Sequence, residues 1–210
     1  MFDHLLKFFV TFLVVVEPVS VIPIFIALTE GASEAERRRM ARKGVMIAAA
    51  ILVVFSVIGG PFLDLLNISI DAFRIFGGLL LFLIALEMVF ARTSGTRTSD
   101  PEQAEGRRKA DISVFPLAFP FIAGPGALAT ILLSFGPAAG DPLLFAGLLA
   151  CVVVVLALCL LTLYVASPLM RAMGVTGANV INRLFGVVLG ALSVQFVIDG
   201  IRASFFAPVP

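Results

Sequence analysis

Val14-Val15-Val16-Glu17-Pro18-Val19-Ser20-Val21-Ile22-Pro23-Ile24-Phe25 is apolar enough to enter a bilayer, yet two prolines and a carboxylate interrupt it. A second stretch repeats the design: Pro116-Leu117-Ala118-Phe119-Pro120-Phe121-Ile122-Ala123-Gly124-Pro125-Gly126-Ala127. In hydrocarbon, a broken helix frees backbone N–H and C=O groups that lipid cannot satisfy. Such breaks survive only where protein or a watery cavity surrounds them. They open the two halves of the chain in equivalent places, and paired interruptions of this kind point to the binding site of a secondary transporter.

Composition sets the class. Apolar residues make up 60% of the 210 positions, charged residues 14%, and the mean hydropathy is +1.10. Soluble domains do not have this make-up, so the chain is an integral membrane protein. A net charge of +1 offers no basic surface for nucleic acid. Cys151 and Cys159 lie eight residues apart in one apolar run, where a helix turns them about 80° away from each other, so they do not pair. Asp3 ahead of the first apolar run, with no small-x-small site after it, argues against a cleaved signal peptide.

Uncharged stretches place six spans at about 5–28, 44–66, 71–91, 112–136, 142–170 and 178–203. Gly31 ends the first, and Ser33-x-x-Glu36 caps the helix that follows. The Ser-, Thr- and charge-rich run Arg92 to Asp111 reads as a loop. Basic residues set the orientation. Arg37, Arg38, Arg39, Arg42 and Lys43 lie in the first loop, Arg92, Arg97, Arg107, Arg108 and Lys109 in the third, and Arg171 in the fifth. These eleven of fifteen fall on one side, which reads as cytoplasmic and leaves both termini outside, in the plasma (inner) membrane.

Internal matches support a repeat. Pro18-x-x-x-x-Pro23 matches Pro120-x-x-x-x-Pro125, and Arg74-Ile75-Phe76-Gly77 matches Arg183-Leu184-Phe185-Gly186, at offsets of 102 and 109. Each half holds three spans, so the second must enter from the opposite side. The expected fold is all-α: one transmembrane domain over 1–210, six helices, and two inverted three-helix repeats with broken first helices. Repeat one covers about 1–92, a cytoplasmic linker 93–111, and repeat two about 112–210.

Glu17-Pro18-x-x-x-x-Pro23, Asp71-Ala72-Phe73-Arg74-Ile75-Phe76-Gly77-Gly78, Pro116-Leu117-Ala118-Phe119-Pro120-x-x-x-Gly124-Pro125-Gly126 and Gln195-Phe196-Val197-Ile198-Asp199-Gly200-Ile201 span most of the chain. Together they resemble the MarC family of six-span inner-membrane proteins. The resemblance implies transport of small neutral amino acids such as glycine and alanine. Where the family commonly has Asp before the first proline, this chain has Glu17.

The residues give this expectation a mechanism. Proline suits the first turn of a helix, where its missing N–H is not needed. Pro23 and Pro125 are expected to start half-helices whose positive ends bind an anionic group such as a carboxylate. Gly124 and Gly126 allow close backbone approach. Glu17 and the freed carbonyls suit an ammonium group or a coupling cation, with Ser20 on the Glu17 face if that stretch is helical. The expected substrate-binding set is Glu17, Pro18, Ser20, Pro23, Pro120, Gly124, Pro125 and Gly126. Arg74 and Arg183 either gate and steer or snorkel to headgroups, and Asp71 pairs with Arg74 on one helix face. Asn179 and Asn182 face either the cavity or the interface. Gly186-x-x-x-Gly190 reads as helix packing.

No catalytic residue, metal ligand or cofactor is expected, and proton and sodium both stay open as coupling ion. The expected partners are a small-molecule substrate and the lipid bilayer, not nucleic acid; the oligomeric state stays open. Two rival readings stand beside the transporter: a membrane scaffold without transport, and an intramembrane lipid-active enzyme.

Overall fold

The computed structural model describes residues 1–90 and 111–206. Among these, all regular structure is helical. α1 (Phe2–Val16) stops at Glu17, because a residue ahead of proline is driven from the helical region. Glu17 adopts left-handed backbone instead, with φ 50° and ψ 64°, while its N–H still bonds Leu13 O at 3.0 Å. A short turn follows, closed by Ser20 N–H on Glu17 O at 3.0 Å. α2 (Val21–Leu28) then completes the crossing. Pro23 is therefore its third residue, not its first. The shift is tolerated because none of the first four N–H groups of a helix has an intrahelical partner.

α3 (Glu34–Leu65) carries the expected capping box. Ser33 N–H donates to Glu36 Oε2 at 2.8 Å, and Glu36 N–H donates to Ser33 Oγ at 3.3 Å. The helix thus begins ten residues before the expected span at 44. Arg37 to Lys43 form a helical extension beyond the bilayer, not a loop, held in part by the Arg38–Glu34 pair at 3.4 Å. At 32 residues the helix is about 48 Å long, well beyond a hydrocarbon core of about 30 Å. α4 (Ile70–Phe90) follows. The linker expected over 93–111, with its four basic residues, lies outside the described residues except for Asp111.

The second broken crossing is built differently. Asp111 Oδ1 accepts the Ser113 N–H at 2.9 Å and so starts α5 (Ser113–Ile122). Leu117 and Ala123 each bond a carbonyl five residues back, a turn wider than an α-helix. Phe115 and Phe119 are extended, each ahead of a cis proline, Pro116 and Pro120. α6 (Pro125–Phe135) leaves at 56° to α5. α7 (Pro142–Tyr164) starts on Asp141, whose Oδ1 accepts the Leu143 and Leu144 N–H groups at 3.1 and 3.0 Å. It ends six residues short of the expected boundary at 170. α8 (Ala166–Phe206) bends at Gly174, where φ is 64°, so its crossing portion is Thr176–Phe205.

Side-chain contacts fix which ends meet. Arg37 Nη1 donates to Ser167 Oγ at 3.2 Å, and Lys43 Nζ lies 2.6 Å from Asp111 Oδ2. The start of α3, the start of α5 and the α7–α8 junction therefore share one end, here the basic end. At the other, the terminal end, Phe135 packs edge-on against Phe8 and Phe145, with centroids 5.9 and 5.0 Å away. α5 and α6 consequently form one bent crossing and not a loop returning to its own side. Counted so, the described residues hold five helices long and apolar enough to cross a membrane and, with the bent pair taken as one span, up to six.

The pairing of helices is crossed between halves. α1 packs on α7, and α5 with α6 packs on α3; α2 packs on α8, and α6 on α4. α4 and α8 form the largest contact, antiparallel, with Gly78 against Ser193 and Val197 and Gly186 against Met88 and Val89. Close approach of backbones is how helices associate where lipid removes the hydrophobic drive. Val53, Val54 and Val57 on α3, Val153 and Val154 on α7, and Val187 and Val188 on α8 face outward as an apolar belt.

Candidate functional site

The two breaks lie in the interior. Glu17 is only 2% exposed, and Pro18, Pro120, Gly124 and Gly126 are buried, while Ser20, Pro23 and Pro125 are half-buried. Gly124 is the extended residue ahead of α6, and Pro125 takes the first helical position, as expected. A side chain at Gly124 has no room, since its Cβ would lie 2.2 Å from Pro120 O. A Cβ at Gly126 would meet Leu81 Cδ2 at 2.7 Å and Val15 Cγ1 at 3.3 Å. The second break thus lies against α4 and against the last turn of α1, two residues before Glu17.

The start of α6 faces a void of about 10 Å³ bordered by Val15, Ile84, Pro120, Gly124 and Gly126. That is room for one water at most, so the structure is closed at this point. Two larger cavities open at opposite ends and share no lining residue. The basic-end vestibule, about 480 Å³, is bordered by Thr29, Glu30, Glu36, Arg39, Lys43 and Asp111. The terminal-end vestibule, about 360 Å³, is bordered by Lys7, Thr11, Arg74, Ser134, Phe196 and Asp199, among others.

Ser20 does not share a helix face with Glu17, because residues 17–20 form a turn. Its hydroxyl instead donates to Asn182 Oδ1 on α8, 162 residues away. Asn182 thereby joins the first break, while Asn179 is exposed. Arg74 bonds Asp71 at 3.2 Å, as the spacing implies, and borders the terminal-end vestibule, away from the breaks. Arg183 is exposed and meets neither break. Gln195 Nε2 donates to Asp199 Oδ1 at 2.7 Å.

Outside the crossings, the Lys43 ammonium and the Ser113 hydroxyl and N–H hold the Asp111 carboxyl down at about 2. The Ser33 hydroxyl and N–H likewise lower Glu36. Cys151 and Cys159 are both free. No group of His, Cys, Asp and Glu among the described residues forms a metal cluster.

The family model described as "MarC family integral membrane protein" matches residues 2–205. The chain belongs to the MarC family. Its relatives within MarC include the UPF0056 membrane protein YvbG of Bacillus subtilis (strain 168), 35% identical over 98% of this chain and 97% of that protein. The UPF0056 membrane protein YhcE of Escherichia coli (strain K12) is 34% identical over 95% and 92%. A UPF0056 membrane protein of Archaeoglobus fulgidus is 33% identical over 92% and 90%. No solved structure matches. The MarC match and the several helices long and apolar enough to cross a membrane agree on an integral membrane protein.

Proposed function

We propose that this protein is a secondary transporter of small solutes, specifically small neutral amino acids, and that it works by alternating access. The observation that carries the reading is the pair of broken crossings, each opening one half of the chain and each packed on the second helix of the other half. Breaks at membrane depth are tolerated only inside protein or beside a cavity, and in matching positions they line transporter sites. The crossed packing fits two inverted repeats related by an axis in the membrane plane. α4 against α8, α6 on α4 and α2 on α8 are the contacts such an axis would produce.

The closed centre between two vestibules is what an occluded stage of such a cycle requires. Opening toward either end would let the positive end of α6 meet a carboxylate, with Glu17 available for an ammonium group or coupling ion. Left-handed backbone is uncommon away from glycine, and such outliers gather at functional sites. Glu17 combines it with deep burial of a carboxylate, itself a functional signature within a membrane. The basic end is read as cytoplasmic on its excess of Arg and Lys, which leaves both termini outside the inner membrane. No chemistry is assigned to the site, and the protein is read as a non-enzyme.

The test is counterflow of labelled glycine and alanine in proteoliposomes of the purified protein. Saturable exchange, competed by small neutral amino acids and reduced at least about tenfold in Pro125→Ala, supports the reading. Normal exchange by correctly inserted Pro125→Ala removes the half-helix from the mechanism. No exchange by folded wild-type protein rejects transport of these solutes.

A further inference from the structure

The two vestibules occupy equivalent places in the two halves. The basic-end one lies where α2 ends, α3 begins and α5 begins; the terminal-end one lies where α6 ends, α7 begins and α1 begins. Their charges differ. The basic-end vestibule is bordered by two cations, Arg39 and Lys43, and three carboxylates, Glu30, Glu36 and Asp111. Its Lys43 is already engaged by Asp111 at 2.6 Å. The terminal-end vestibule has Lys7 and Arg74 against Asp199 alone, with His4 beside them.

The terminal-end groups are placed for use. Lys7 has no ion-pair partner among the described residues. Arg74 gives Nη1 to Asp71 and keeps its other N–H groups, since a guanidinium has five. Asp199 accepts from Gln195 through Oδ1, which orients the carboxylate and leaves Oδ2. Thr11 and Ser134 add hydroxyls to the same wall. The cations come from α1 and α4 and the carboxylate from α8, so opposite charges border one cavity of about 360 Å³ without being each other's partners. That volume exceeds what a two- or three-carbon solute needs. Thr11 lies six residues before Glu17 on α1, about 9 Å along the helix, so the cavity stands directly above the first break.

We infer that this vestibule is an entry site for a small zwitterion, with the carboxylate on Lys7 and Arg74 and the ammonium on Asp199. Charge-assisted hydrogen bonds at both ends of the solute would select zwitterions over simple anions or cations. The inference rests on the transport reading for its substrate class, yet it concerns a site separate from the breaks. The charge balance gives the two mouths different preferences, with carboxylate-bearing solutes drawn to the end read as outward.

Thermal-shift titrations of the purified full-length protein with glycine, sodium acetate and methylammonium chloride, at constant ionic strength, test the site without requiring transport. Glycine and acetate are expected to raise the melting temperature saturably. Lys7→Gln should weaken both by about tenfold, as loss of a charged hydrogen bond implies, and Lys7→Arg should restore them. Asp199→Asn should weaken glycine and spare acetate, and methylammonium, which offers no carboxylate to Lys7 and Arg74, should give the smallest shift of the three. Lys7 is exposed, so its replacement is compatible with folding. Wild-type titrations without a saturable glycine shift, or unchanged glycine and acetate binding in Lys7→Gln, would overturn the entry site. Counterflow separates the two ideas. Exchange that persists without vestibule binding rejects the entry site alone, and vestibule binding without exchange rejects transport alone.

Discussion

Ser20 Oγ donates a hydrogen bond to Asn182 Oδ1, tying the turn that breaks the first crossing to the third helix of the other half. The bond joins residues far apart in sequence, at a depth where neither finds easy replacement in lipid. Interhelical hydrogen bonds within membranes contribute about 0.6 kcal/mol on average and up to about 1.7 kcal/mol. Ser20→Ala should therefore destabilise the protein by about 1 kcal/mol in detergent unfolding. Asn182→Ala should add little in the Ser20→Ala background. Additive effects in the double-mutant cycle would show that the two side chains are not coupled.

The α4–α8 contact should be intolerant of added volume. A Cβ at Gly78 would fall 2.8 Å from Ser193 O and from Val197 Cγ2, and a backbone carbonyl cannot rotate aside. Gly78→Ala is expected to cost about 1–3 kcal/mol, the usual penalty for overpacking. Gly140, with open space around its Cβ position, is the control. Equal unfolding midpoints for Gly78→Ala and Gly140→Ala would refute the close approach.

The Lys43–Asp111 clamp predicts a stability difference that depends on pH. Asp111 titrates lower when folded, at about 2 against an ordinary 3.8. Its contribution is therefore fully present above about pH 4 and fades as pH falls through about 2. Both side chains are about half exposed, so the magnitude is under about 1 kcal/mol. The melting-temperature gap between wild type and Asp111→Asn should be constant near neutrality and close on acidification. A gap that widens below pH 4 would contradict the assignment.

Glu17→Gln keeps the shape of the buried side chain and removes its ionisation. If Glu17 handles an ammonium group or a proton, the variant should change the pH profile or the apparent affinity of counterflow. Unchanged values for both would return Glu17 to a structural role.

The sequence disclosed the breaks because proline and glycine act locally. Pro18 drives Glu17 from the helical region, Pro125 sets the first turn of α6, and Ser33 with Glu36 mark a helix start at short range. The same holds for Asp71 with Arg74, within one helical turn. What stayed hidden was long-range or cooperative. Asn182 read equally well as interface or cavity until α2 was seen against α8. The basic run from Arg37 resembled a loop, because charge marks the bilayer boundary and not the end of a helix. Lys7 and Asp199 sit at opposite ends of the chain, so no spacing rule could bring them to one cavity.

The crossed packing of the halves constrains how the protein is made. α1 and α2 rest on α6, α7 and α8, which leave the ribosome after α4 is already in the bilayer. Until they arrive, the kinked leading segment keeps only the contacts of its own half, such as Arg37 on Thr29 O. Biogenesis must therefore hold an unfinished amino-terminal half in the membrane, and neither half expressed by itself can reproduce the surroundings it has in the whole.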